Sequence, residues 1–279
     1  MKTIRKIGVV LKEGCDIEGG QFAIDALQKH IAMDDIVRLD ETLIKNQDPL
    51  YLDAVVDLNA KLKASVKHAI RMGAFPLIYG GDHALAIGSI TGVAQADHAI
   101  LWIDAHGDCN TELSSDSKRI HGMPLAVVQG KGHPALTALV DQAINPRNIL
   151  LIGIRSLDDA EEALMREWGV RWLTMETIRT QGFEWLNEEV MTFAKQAKHL
   201  HVSFDCDSMD PMQYPGVNTP VRGGFIAQEM LPLLEAVLSL ENISSMDIVE
   251  YNPSRDPNKD TLDLILTISK LLDNQLRRK

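Results

Sequence analysis

The chain reads as an α/β protein built around a largely parallel sheet. Three observations point there. Short apolar runs alternate with longer amphipathic stretches from end to end. The short runs are rich in Val, Ile and Leu and bounded by Gly, Asp or Pro, as strands buried on both faces should be. The longer stretches carry apolar residues at three- or four-residue steps, the mark of one buried helical face. Alternation of this kind joins parallel strands through helical crossovers.

Taken in order, strands are predicted at 6–11, 36–39, 75–79, 99–103, 149–154, 170–173, 200–204 and 246–250. Helical patterns lie between them at 21–30, 53–72, 85–94, 159–169, 185–197, 227–240 and 261–276. In the longest, Val55, Leu58, Leu62, Val66 and Ile70 mark the buried face. No repeat, low-complexity tract or Pro/Gly/Ser-rich linker interrupts the pattern, so residues 1–279 read as a single domain. The longest insertion is the polar segment 110–119, directly after a strand, where an α/β fold usually builds its site.

Composition narrows the function. With 45% hydrophobic and 24% charged residues, the chain is of ordinary soluble globular type. Its 28 Lys and Arg against 39 Asp and Glu leave a net charge of −11. That disfavours nucleic-acid backbones and anionic membrane surfaces as partners. Cys15, Cys109 and Cys206 are far apart and form neither a zinc knuckle nor a disulfide framework, which fits a reducing compartment. The apolar run from Ile7 to Leu11 stops at Lys12-Glu13, too short for a signal-peptide core. No stretch approaches the ~20 apolar residues of a membrane span. A cytoplasmic protein is expected.

Three strand-end motifs carry chemistry: Tyr79-Gly80-Gly81-Asp82-His83, Asp104-Ala105-His106-Gly107-Asp108 and Asp205-Cys206-Asp207-Ser208-Met209-Asp210-Pro211. In a parallel sheet their carboxyl ends face one way, so residues 83, 104–108 and 205–207 can converge. Alternation along an extended chain aims Asp104 with His106, and Asp205 with Asp207, leaving Cys206 pointing away. Taken singly, an Asp-x-Asp after a strand is a turn or helix cap, and Gly-Gly-Asp-His a turn. No Lys or Arg lies within the motifs, so four gathered carboxylates call for cations. Carboxylates with two imidazoles suit manganese better than thiolate-loving metals. Two such ions can share a water and lower its pKa towards neutrality, giving a hydroxide nucleophile.

These motifs, in this order and spacing, resemble the signatures of the ureohydrolases, the arginase and agmatinase family, and the likeness covers nearly the whole chain. The segment Gly80 to Gly92, reading GGDHALAIGSITG, and Ser203-Phe204 are nearer to arginases than to agmatinases. The resemblance implies a three-layer α/β/α fold with an eight-stranded mainly parallel sheet, the number of strands counted above. It implies two Mn2+ per subunit: His83 and Asp108 on one, His106 and Asp207 on the other, Asp104 and Asp205 bridging. It implies that His121, in His121-Gly122-Met123-Pro124, carries protons, a task for which imidazole is suited. It also implies that Glu250, in Asp247-Ile248-Val249-Glu250-Tyr251-Asn252-Pro253, grips a guanidinium, which a carboxylate can do bidentately. A glutamate there argues against formiminoglutamase.

The segments that would hold the substrate's far end depart from the arginase pattern. Asn110 and Ser117 are kept, but Arg119 replaces the asparagine that meets the α-carboxylate. Asp158 occupies the position that meets the α-ammonium, while Ser156 replaces a second aspartate; read locally, Asp158 could equally cap the helix that follows. Thr219 stays in place to hydrogen-bond guanidine or urea, and Asn218 stands for the first glycine of that turn. The implied reaction is hydrolysis of L-arginine to L-ornithine and urea, with Asp108 and His121 delivering a proton to the leaving amine. A second reading keeps the chemistry on another guanidino acid such as 4-guanidinobutanoate. A third is a non-catalytic arginine- or metal-binding regulator, against which the six-ligand set, His121 and Glu250 all speak. Metal-dependent deacetylases of related fold use a single-metal set. The family's habit implies a homotrimer or homohexamer, and a chain ending at Lys279 just past the last helix implies no interface built on a C-terminal extension.

Overall fold

The computed structural model describes residues 3–278. The strands are β1 (Ile4–Val10), β2 (Asp35–Arg38), β3 (Phe75–Gly80), β4 (His98–Ile103), β5 (Ile149–Ile154), β6 (Arg171–Thr174), β7 (His199–Asp205) and β8 (Ile243–Val249). They form one eight-stranded sheet in the order β2-β1-β3-β8-β7-β4-β5-β6, with every pairing parallel. The four central strands, β3, β8, β7 and β4, are those that run into the three motifs and Glu250. Since all point the same way, their carboxyl ends share one edge of the sheet.

The helices are α1 (Ala23–Leu27), α2 (Leu52–Arg71), α3 (Ala86–Val93), α4 (Pro124–Val128), α5 (Pro134–Thr137), α6 (Asp159–Trp168), α7 (Met175–Gln181), α8 (Phe183–Gln196), α9 (Ala227–Leu238) and α10 (Asp260–Arg277). Leu101 and Ile103 of β4 face the layer of α1, α7, α8, α9 and α10. Ile100 and Trp102 face α3, α4 and α6, while α2 packs beside them over Ile7, Val9 and Ile78. Period-two alternation thus feeds a core on each side of the sheet, completing three layers.

Strand ends differ from the sequence expectation by at most three residues. The helix expected at 21–30 is a 3-10 turn, Gly20–Phe22, followed by the single short α1. Ala23, Ile24 and Leu27 are its buried residues, with Ala26 packed partly against the same core. The periodicity missed α4, α5 and α7, whose four to seven residues are too few to establish a helical period. On α2, Val55, Leu58, Leu62 and Val66 are buried, but Ile70 is 40% exposed. At 100° per residue the stripe has drifted about 60° by then. Cys15, Cys109 and Cys206 are buried and unbridged. No described helix is long and apolar enough to cross a membrane.

Candidate active site

Each motif uses a local cap to turn its side chains inward. After β3, Asp82 Oδ1 accepts the Ala84 amide at 3.0 Å and starts the 3-10 turn His83–Leu85. The turn is possible only on glycine: a Cβ on Gly81 would stand 1.6 Å from the Leu11 carbonyl oxygen. The buried His83 ring stacks on Trp102 with centroids 3.9 Å apart. Trp102 Nε1 donates to Asp104 Oδ2 at 2.8 Å, and Asp104 Oδ1 accepts the His106 amide at 2.7 Å. After β7 the extended-chain expectation for Asp205 and Asp207 is corrected. Asp205 caps the 3-10 turn Cys206–Ser208, with Oδ1 accepting the Asp207 amide at 2.6 Å. The turn brings both carboxylates in and sends Cys206 into the apolar core.

The result is two adjoining donor groups, His83-Asp104-Asp205 and Asp104-His106-Asp207, each with its donor atoms within 4.8 Å. Asp104 belongs to both and offers one oxygen to each. His83 Nδ1 stands 2.9 Å from Asp205 Oδ2, 3.1 Å from Asp104 Oδ2 and 3.1 Å from Asp108 Oδ2. His106 Nδ1 stands 3.2 Å from Asp207 Oδ2 and 3.4 Å from Asp104 Oδ1. Asp108 is held at φ 46, a left-handed backbone that costs a non-glycine residue about 1–2 kcal/mol. Its carbonyl is fixed by the Leu125 amide at 2.9 Å.

The donor set fits divalent cations. His83 Nδ1 is buried and makes no hydrogen bond, although three carboxylate oxygens surround it. A nitrogen so placed presents a lone pair to the space between the carboxylates. Its Nε2 is meanwhile tied to Ser203 Oγ at 2.8 Å, which sets the ring. Electrostatics agree. Burial, then the charges of Asp207 and Asp104, push Asp205 well above the usual carboxylate range, and burial with Asp104 pushes Asp108 up to about 6. Burial also opposes the charged imidazoles, but neighbouring carboxylates raise both His83 and His106. A cluster that holds protons in this way gives them up to cations. Mn2+ uptake at neutral pH is therefore expected to release protons, and to weaken as the pH falls through about 6. Calorimetry in buffers of different ionisation enthalpy counts the protons; a count of zero would contradict the cluster's role.

Beside this cluster lie His121 and Glu250. Glu250 follows β8 at φ 62, its amide donating to the Gly81 carbonyl at 2.7 Å. Glu250 Oε1 accepts the His83 amide at 2.9 Å and faces His121 Nδ1 at 3.2 Å; Oε2 accepts Asn218 Nδ2 at 2.8 Å. Burial works to raise Glu250, but His121, the His83 amide and Asn218 together outweigh it and hold the carboxyl low. His121 is raised by the same contact against its own burial.

The substrate-tail candidates divide. Thr219 Oγ1 donates to Asp207 Oδ2 at 2.8 Å, which places it against the cluster. Asp158 is a helix cap that also meets Asn110. Its Oδ1 accepts the Glu161 amide at 2.7 Å, while Oδ2 accepts Asn110 Nδ2 at 3.1 Å. Ser117 Oγ accepts the Arg119 amide at 3.3 Å, shaping the loop rather than reaching the cluster. Arg119 is half-buried where the 3-10 turn Ile120–Gly122 begins.

Sequence reasoning missed the polar groups behind the site. Asp247 accepts from Ser203 Oγ at 2.5 Å and Ser89 Oγ at 2.6 Å, and pairs with His201 Nε2 at 3.0 Å. All are buried, so a chain of hydrogen bonds backs His83 from inside the sheet. Polar residues at core-facing strand positions were the available signal. Asn218 was read only as a residue tolerated in a turn, yet its side chain holds Glu250.

An all-parallel three-layer α/β/α sheet that gathers carboxylates and imidazoles at its central strand ends is the architecture of a metal-dependent hydrolase. The profile of the arginase family matches residues 9–272. The curated arginase of Bacillus caldovelox is 40% identical over 222 residues, covering 78% of this chain and 74% of that one. Its crystal structure at pH 5.6 superposes with a TM-score of 0.91 at 35% identity, covering 98% of each chain. The Entamoeba histolytica arginase in complex with L-ornithine gives a TM-score of 0.89 at 27% identity, covering 98% of this chain and 99% of that one. The chain belongs to the arginase family, whose members are hydrolases acting on guanidino groups.

Proposed function

We propose that the protein is a binuclear manganese arginase, hydrolysing L-arginine to L-ornithine and urea. The observation that carries this is the shared carboxylate: Asp104 gives one oxygen to each of two donor groups, with the Glu250–His121 pair alongside. In this reading His83, Asp104, His106, Asp108, Asp205 and Asp207 would hold the two ions, Asp104 standing within reach of both donor groups. Ions held there would supply a nucleophile by lowering the pKa of water towards neutrality. Glu250, kept ionised and aimed by His121, Asn218 and the His83 amide, pairs with the substrate guanidinium and orients its carbon. Thr219 Oγ1, anchored on Asp207, takes a hydrogen bond from the guanidine or urea. Asp108 and the His121 imidazole move the proton that the leaving amine requires. We place the protein in the cytoplasm as a homotrimer or homohexamer, in keeping with its three unbridged cysteines and its family resemblance.

A second reading changes only the substrate. Both oxygens of Asp158 are engaged, by Glu161 and Asn110, which lessens its capacity for an α-ammonium. Arg119 can pair with a carboxylate more strongly than an amide. Together these favour a guanidino acid without an α-amino group, such as 4-guanidinobutanoate.

Urea release measured on L-arginine, agmatine, 4-guanidinobutanoate and guanidinoacetate separates the two, with manganese-loaded and chelator-stripped protein side by side. Manganese-dependent urea from arginine is expected. Preference for 4-guanidinobutanoate, with arginine activity gained on Arg119→Asn, would establish the second reading instead. Silence on every substrate with two metals bound would favour the regulator.

A further inference from the structure

A third donor group lies beside the two described, and it differs from them in chemistry. Cys15 Sγ, a ring nitrogen of His121 and a Glu250 carboxylate oxygen lie within 4.8 Å of one another. The group shares no residue with the two that contain Asp104. We propose that Cys15, His121 and Glu250 form a site for a thiophilic divalent cation of the zinc and cadmium class, separate from the carboxylate cluster.

The group is built rather than incidental. Cys15 is 0% exposed, and its backbone is fixed from both sides through Gly14. The Gly14 amide donates to Asp82 Oδ2 at 2.9 Å, and the Gly14 carbonyl accepts the His121 amide at 3.1 Å. The segment carrying the thiol is therefore tied to the residue carrying the imidazole. His121 Nδ1 and Glu250 Oε1 stand 3.2 Å apart. Tetrahedral zinc, with bonds of about 2.0 Å to nitrogen or oxygen and about 2.3 Å to sulfur, sets its ligand atoms roughly 3.3–3.7 Å apart. The imidazole and carboxylate already stand at about that spacing, and the thiol lies within 4.8 Å of both.

The chemistry discriminates between metals. Sulfur, imidazole and one carboxylate make a soft-to-borderline set that selects zinc or cadmium, whereas carboxylates with imidazole suit manganese. Burial and the nearby charges of Glu250 and Asp82 keep the Cys15 thiol protonated, so it stays inert until a cation takes the proton's place. An occupied site leaves three protein ligands and an open fourth position. It also removes His121 and Glu250 from their proposed work, making the cation an inhibitor. That consequence rests on the proposed function; the binding site itself does not.

The test uses full-length protein saturated with Mn2+ and titrated with CdCl2 or ZnCl2. Expected are one further cadmium per chain by elemental analysis, an ultraviolet thiolate-to-cadmium charge-transfer band, and loss of urea release. Cys15→Ala and Cys15→Ser should lose the band. They should also need at least about tenfold more cadmium for the same fractional inhibition, each judged against its own cadmium-free rate. His121→Asn, which leaves the thiol in place, should lose the extra equivalent too. A band that persists in Cys15→Ala, or equal cadmium sensitivity in parent and both cysteine variants, would overturn the proposal. Band and stoichiometry without urea from any guanidine would uphold the site and overturn the arginase reading.

Discussion

Replacing Asp205 with asparagine is expected to abolish urea release and to remove the stabilisation that Mn2+ confers, without lowering the melting point of the metal-free protein. The two expectations separate because the two oxygens of Asp205 do different things. Oδ1 accepts the Asp207 amide and starts the turn, a task an asparagine oxygen performs as well. Oδ2 faces His83 Nδ1 at 2.9 Å, and burial, then the charges of Asp207 and Asp104, raise the carboxyl's pKa. Asparagine keeps the cap and deletes the charge. At a hundredfold excess of metal over Kd, binding stabilises a protein by about 2.7 kcal/mol, and this is the gain that should vanish. Thermal melts with and without Mn2+ read it directly. A variant that still gained stability from Mn2+ and still released urea would exclude Asp205 as a bridging ligand. Asp104→Asn would be a poorer probe. Both oxygens there accept hydrogen bonds, from Trp102 and from the His106 amide, so an amide would set donor against donor.

His121→Asn should behave in the opposite way, leaving metal content intact and lowering kcat by about 10²–10⁴. The ring pairs with Glu250, and His121 belongs to neither of the two Asp104 groups, so metal stoichiometry has no reason to move. Glu250 loses one of its stabilising partners but keeps the His83 amide and Asn218, so guanidinium binding should weaken less than turnover falls. Steady-state kinetics with metal analysis on the same sample separates the outcomes. Loss of metal, or a parental kcat, would remove His121 from proton transfer.

The sheet was legible because its central strands are buried on both faces and so are nearly all apolar, while the part-buried edge strands β2 and β6 showed only as short apolar runs between helical patterns. Short helices were not, since α4, α5 and α7 are too brief to show a period. At the site, the six candidate metal ligands were legible as types at strand ends, although the geometry delivering Asp205 and Asp207 was not. Asp-x-Asp could be read as a cap or as a pair of ligands, and it is a cap that builds the pair. Asp158, read as cap or as substrate contact, caps its helix and meets Asn110. What the sequence concealed were partners distant along the chain, such as Asn218 on Glu250 and Cys15 beside His121. These depend on how loops from different strands lie together, which no local pattern encodes.

The central placement of β3, β8, β7 and β4 has a kinetic consequence. The hydrogen bond from the His83 amide to Glu250 closes a loop of 167 residues, and the cluster needs strands drawn from most of the chain. Contacts of that range form late, after the ordering entropy of the intervening loops has been met. A growing chain therefore holds no assembled pocket until residue 250 has left the ribosome. Cations arriving afterwards find a finished sheet, act as a lock on it, and slow its opening rather than hasten its closure.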